Sequence, residues 1–146
     1  MAQVDGQDYP EARWYDVENQ VWYEPLAGNA LRAGMTPVSI SLAGEIYVFT
    51  PRRNGLAFEK GRSFALIEGG KWVGAVRAAF DGVVVASNED LIQRPSLLGR
   101  DAFGKGWMLV VRPATPDWRA GLVTGAAVGL AFGNWLEAGT YKDRTD

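Results

Sequence analysis

The chain has 146 residues and contains neither cysteine nor histidine, which excludes structural disulfides, thiolate or imidazole metal sites, and Ser-His or Cys-His catalysis. Any redox chemistry must therefore be borrowed from an attached group. Fifteen basic against seventeen acidic residues leave a formal net charge of −2 with no basic stripe, so nucleic acid is not an expected partner.

At this length one domain spanning 1–146 is expected, with a β body over about 13–113 and a helical segment over 115–142. The first six residues hold neither an apolar run nor a basic start, so no secretory signal is expected and the cytoplasm is the default compartment. Segments 14–17 and 20–23 flank the polar pair Glu18-Asn19 and predict a hairpin. Further strands are predicted at 30–35, 46–50, 64–67, 72–79, 83–87 and 108–112, with a single helical turn at 37–42 entering Gly44. The glycine-containing segment 101–107 lacks the Gly-Lys-Ser/Thr ending of a phosphate loop and reads as a loop feeding a strand. Thr115-Pro116-Asp117-Trp118 places a capping residue before a proline, which predicts that the C-terminal helix starts there. Short strands separated by glycine and proline turns predict a mostly β fold, a flattened barrel or sandwich with that helix packed on one side or end.

Gly121, Gly125, Gly129 and Gly133 recur every fourth residue, as in the small-residue ridges of close-packed membrane helices. The uncharged run around them is shorter than the roughly 20 residues that span a bilayer, so no membrane span is expected. A small-residue helix or loop packed on the β body is the favoured reading, and a homo-oligomer contact is the alternative.

The chemistry concentrates on Lys71. Apolar, strand-compatible residues flank Glu68-Gly69-Gly70-Lys71-Trp72 on both sides and predict a tight hairpin with the lysine at its apex. Gly69 and Gly70 are expected to take the positive φ that such a turn demands. The lysine side chain would then stand out from a stiff base into solvent, where a modifying enzyme can reach it. An ordinary solvated turn lysine is the bland reading of the same residues.

This hairpin, with Gly82 following at the corresponding place, resembles the lipoyl-lysine hairpin of the glycine-cleavage H-protein family, whose pattern is E-S-x-K-A followed by G-x-V. Gly34-Met35-Thr36 with Gly44-Glu45-Ile46-Tyr47-Val48 resembles that family's G-I-T and G-D-L-V-F, and Phe103-Gly104-Lys105-Gly106-Trp107 resembles its Y-G-x-G-W. Leu136-Glu137-Ala138 and Tyr141-Lys142 are similar to its closing segment. The chain departs from the pattern at Ala12-Arg13-Trp14, where the family has H-E-W and its histidine is missing, at Gly70 and Trp72 on either side of the lysine, and at Ala79 in place of proline.

The resemblance implies a carrier rather than an enzyme, with covalent lipoate on Lys71 and no metal. Glu68 would be the contact read by a lipoate ligase or lipoyl transferase, Gly70 and Trp72 would shape the tip, and Gly82 would set the neighbouring turn. The Gly-Lys-Trp-Val-Gly sequence is more similar to the H-like lipoate-binding proteins of bacterial sulfur oxidation, which implies a heterodisulfide-reductase-like complex as partner. The alternatives are a glycine-cleavage H protein carrying an aminomethyl group between the glycine-cleavage enzymes, and an unmodified scaffold domain. Dihydrolipoamide dehydrogenase is a further partner that a lipoyl arm implies. Biotin is disfavoured because the lysine lacks flanking methionines, and no acidic pair sits in a catalytic context.

Overall fold

A computed structural model describes residues 1–139 of the chain. Tyr141 and Lys142, part of the matched closing segment, lie outside the described residues. The architecture is mostly β, as the sequence predicts. A six-stranded antiparallel sheet runs in the order β3 (Trp14–Asp16), β4 (Val21–Pro25), β5 (Leu31–Met35), β11 (Leu109–Pro113), β10 (Gly82–Ser87) and β7 (Ala57–Phe58). A three-stranded sheet of β6 (Ile46–Pro51), β8 (Ser63–Gly69) and β9 (Val73–Arg77) packs across it. A separate hairpin, β1 (Ala2–Val4) with β2 (Gln7–Tyr9), completes the strands.

Two apolar clusters hold these pieces together. The first lies between the two larger sheets and joins Val21, Tyr23 and Leu109 of one to Phe49, Phe64 and Ile67 of the other. The second gathers Tyr9, Tyr15, Trp22, Phe132 and Trp135. Because successive strand residues point to opposite faces, β4 sends Val21 and Tyr23 into the first cluster and Trp22 into the second. Both faces of β4 are therefore covered. Trp22 finds room because its cross-strand partner is Gly34, where an added Cβ would come within 2.4 Å of the indole. Its Nε1 donates to the Ala102 carbonyl at 3.1 Å, which satisfies the one polar atom that burial would otherwise strand.

The helical turn expected after residue 36 is α1 (Pro37–Ala43). Thr36 caps it by accepting from the Ser39 amide, and Pro37 occupies the first helical position, where a missing N–H costs nothing. Gly44 ends it at φ 79. Two short helices, α2 (Glu89–Gln93) and α3 (Leu97–Arg100), precede the loop over 101–107, which feeds β11 as expected.

Two sequence expectations are corrected here. The C-terminal helix does not start at Thr115: turns occupy the segment after β11, and α4 runs from Val128 to Ala138, entered by a 3₁₀ turn at Gly125–Ala127. The reason lies in Gly121 and Gly125, which take positive φ, and in Val123 between them, whose amide and carbonyl pair with those of Tyr15. A strand bridge won over the local capping signal. The N-terminal segment, read only for targeting, forms the β1–β2 hairpin, with Asp5 at φ 50 and Gly6 at φ 79 making its turn. No helix among the described residues is long and apolar enough to cross a membrane, and α4 packs Val128, Phe132 and Trp135 onto the β1–β2 hairpin and Tyr15.

Candidate functional site

β8 and β9 form the expected hairpin, pairing Glu68 with Val73 and Ile67 with Gly74. The ladder closes where the Gly69 amide donates to the Trp72 carbonyl at 2.9 Å, leaving Gly70 and Lys71 at the apex. Lys71 is exposed and enters no ion pair among the described residues.

Its backbone is not free. The Lys71 amide donates to the Ala43 carbonyl at 2.8 Å, and the Gly70 amide donates to the Glu45 carbonyl at 2.9 Å. Ala43 is the last residue of α1, so its carbonyl has no partner within the helix and accepts from the hairpin instead. The connection from α1 to β6 thus clamps the lysine-bearing tip, while Lys71 as a residue stays exposed. A rigid base with a solvent-exposed amine is the geometry that an attachment point requires.

The glycines serve this clamp differently from the expectation. Neither Gly69 nor Gly70 takes positive φ. Gly69 is needed because an added Cβ would lie 2.4 Å from the Ala43 carbonyl oxygen, so its job is close approach rather than a left-handed turn. The positive φ belongs to Gly44, across the contact, where a Cβ would sit 3.1 Å from Lys71 Cγ. Gly70 faces Tyr47, whose ring would be 3.6 Å from a Cβ there. A register shift in the β6–β8 pairing between Ile46 and Val48 leaves Tyr47 unpaired beside the tip.

Glu68 is exposed, aligned across the sheet with Val48 on one side and Val73 on the other. Trp72 is half-buried and folds along its own strand, where a Cβ on Gly74 would come within 2.2 Å of the indole. This is the same pairing of tryptophan over glycine seen at Trp22 and Gly34. Gly82 departs from its expected role: it is the first residue of β10, in the other sheet, paired with Phe58 and Pro113. A Cβ there would lie 2.6 Å from the Arg112 carbonyl oxygen and 2.8 Å from the Phe58 ring, so close packing rather than a turn explains the glycine.

Glu68, Gly70, Lys71 and Trp72 therefore share one hairpin, and Gly82 supports the sheet beneath. Sequence reasoning missed the clamp, Ala43 and Glu45, because a contact between main-chain groups distant in sequence leaves no composition signal. Gly44 was legible only as the end of a helical turn. Arg13, which stands where the family's H-E-W has glutamate, lies over the Trp22 ring at 4.4 Å and donates to the Phe103 carbonyl at 2.7 Å. Burial lowers its pKa, and the nearby Glu24 carboxylate partly offsets that. Among the described residues no cluster of Asp or Glu could hold a metal ion.

Comparison with known proteins agrees with this geometry. The family model described as Glycine cleavage H-protein matches residues 13–129. A similar relative is "Glycine cleavage system H protein 5" of Aquifex aeolicus, 40% identical over 121 residues that cover 80% of this chain and 81% of that protein. Another is "Glycine cleavage system H protein 2" of the same organism, 36% identical over 105 residues that cover 72% of this chain and 65% of that one. The crystal structure of a glycine cleavage system H protein from Mycobacterium marinum has a similar fold, with a TM-score of 0.75 at 23% identity, over 86% of this chain and 99% of that one. With the family model matching from Arg13 through α4's first turn and the lysine hairpin held as described, the chain belongs to the glycine-cleavage H-protein family.

Proposed function

We propose that Lys71 carries lipoate in amide linkage and that the chain is a carrier presenting this arm to successive partner enzymes. The observation that carries the proposal is the exposed Lys71 side chain on a tip whose main chain is fixed by Ala43 and Glu45. Lipoate so attached would supply a dithiolane that can be reduced and reoxidised, chemistry that a chain without cysteine lacks.

The residues present fit this role. Lys71 Nζ can form the amide without breaking an ion pair among the described residues, and the clamp keeps its Cα in one place while the arm moves. Glu68, exposed on the strand leading to the tip, is the side chain that a ligase or lipoyl transferase would read. Gly70 leaves the approach to the lysine open, and Trp72, lying against Gly74, stiffens the return strand. Tethering turns each encounter with a partner active site into a local event, with effective concentrations in the millimolar range for a short flexible link.

Glycine-cleavage enzymes are the partners that the relatives' names favour. The Gly-Lys-Trp-Val-Gly tip is the feature favouring a heterodisulfide-reductase-like complex of sulfur oxidation. Dihydrolipoamide dehydrogenase would act on the arm as well. The experiment is to offer the lipoylated chain to glycine decarboxylase with glycine, and separately to the heterodisulfide-reductase-like complex with its sulfur substrate. Turnover by either with wild type and none with Lys71→Ala supports the carrier role and identifies the pathway. Activity that ignores Lys71→Ala contradicts it.

A further inference from the structure

The three-stranded sheet has an outward face that the carrier role alone leaves unexplained. Val73, Ala75 and Arg77 alternate along β9 on the side away from the core, and Leu66 and Glu68 continue that face on β8. Leu66 is 51% exposed, Val73 53%, Tyr47 59% and Val48 39%, so an apolar strip begins beside the Lys71 tip. It leads to a cleft of about 470 Å³ lined by Phe58, Ala75 and three arginines, Arg52, Arg62 and Arg77. Along β9 at roughly 3.3 Å per residue, the strip is about 13 Å long from Val73 to Arg77.

The arginines make this more than a solvated surface. Arg52 Nε donates to the Ala57 carbonyl at 2.8 Å, and an Arg77 terminal nitrogen donates to the Gly61 carbonyl at 3.1 Å. Both guanidiniums are thereby held in place with further donors left over. Glu59 also lines the cleft, yet none of the three arginines forms an ion pair among the described residues. On a chain whose overall balance is acidic, three guanidiniums, two of them held by hydrogen bonds, against one lining carboxylate form a local positive site. Guanidinium forks match carboxylates in geometry as well as charge.

We propose that this face is the docking surface for the enzyme that works on the arm, and that its occupant is an acidic segment of that enzyme. Carboxylates of the partner seat on Arg52, Arg62 and Arg77, and the partner's apolar residues cover Leu66 and Val73. The partner's active-site mouth then lies over Lys71. The proposal rests on the carrier reading and adds where, and by what chemistry, the partner is recognised. Electrostatic complementarity of this kind acts mainly on encounter and register, so its loss is expected in KM rather than in turnover.

The test starts with a photo-crosslinking residue in place of Leu66 in the full chain, expressed in its native host, with the same probe at the exposed Leu130 of α4 as control. The expected product is a crosslink specific to position 66, to a peptide of net negative charge from an enzyme that turns over the lipoyl arm. That enzyme's KM for the lipoylated R62E/R77E chain should be at least tenfold above wild type with kcat unchanged, and the difference should shrink as salt is raised. R62K/R77K, which keeps the charge and loses the fork, should fall between wild type and R62E/R77E, and R62Q/R77Q gives the same reading as charge reversal, at smaller amplitude, if that reversal impairs folding. A neutral or basic crosslinked peptide, a crosslink no stronger than at Leu130, or a KM within twofold of wild type overturns the proposal. The mass of Lys71 is a separate readout. An unmodified lysine overturns the carrier reading and docking together, whereas a lipoylated chain whose KM ignores the charge change overturns docking alone.

Discussion

The amide of Lys71 donates to the carbonyl of Ala43 at 2.8 Å, so the end of one short helix fixes the base of the candidate arm. At the other end of that helix, the buried Tyr9 hydroxyl accepts from the Val38 amide at 3.1 Å. The β1–β2 hairpin, α1 and the lysine tip are thus linked in series, through a tyrosine hydroxyl at one end of the helix and main-chain groups at the other.

Gly69→Ala tests the clamp directly. The new methyl would sit 2.4 Å from the Ala43 oxygen, and the backbone must part to admit it. Overpacking of this kind costs about 1–3 kcal/mol, and urea denaturation should show a loss in that range. Lipoylation by a purified ligase should slow in the same variant, because the tip is no longer held in one position.

Gly44→Ala probes the other side of the contact. At φ 79 and ψ −155 the backbone is in a region that only glycine adopts readily, and the expected loss is about 1–3 kcal/mol. By contrast, Gly129→Ala should be tolerated, since a Cβ there meets only the Ala2 methyl at 3.9 Å. Replacing glycine by alanine within a helix gains up to about 1 kcal/mol, so thermal unfolding should show this variant as at least as stable as wild type.

Tyr9→Phe removes the acceptor for the Val38 amide while keeping the ring. Leaving a buried donor unsatisfied costs about 1–3 kcal/mol, measurable by denaturant titration. The β1–β2 hairpin should then exchange its amide hydrogens faster than the sheets do.

Alkaline pH should weaken the fold. Burial raises the Tyr9 pKa from 10.0 to about 12, against the lowering effect of the Val38 amide, and burial raises Tyr15 and Tyr23 as well. The folded state thus holds the neutral phenols more tightly than the unfolded chain does. The contribution of Tyr9 is complete below pH 10 and is lost as pH rises through 10 to 12, by up to about 1.4 kcal/mol per unit, and Tyr15 and Tyr23 act in the same direction. Urea midpoints at pH 9 and pH 11 check both the direction and the window.

Which parts were legible in the sequence follows from how local their causes are. The Lys71 hairpin could be read because two apolar runs and the Gly69-Gly70 pair announce it over a dozen neighbouring residues. The role of Gly69 could not, because the Ala43 oxygen that forbids a side chain there is brought in by the fold. Asp5-Gly6 carried a readable turn signal in a segment read only for targeting. Thr115-Pro116 carried a valid helix-start signal that the Tyr15–Val123 bridge overrode. Trp72 and Gly74 lie two residues apart, and their stacking follows from strand alternation once the strand is known.

The central claim is that Lys71 is the lipoyl attachment point, and intact mass of the protein purified from its native host tests it most directly. The account predicts an increment equal to one lipoyl amide, mapped to Lys71 by peptide sequencing and absent from Lys71→Ala. A chain of unmodified mass, from cells whose other carriers are lipoylated, would contradict it.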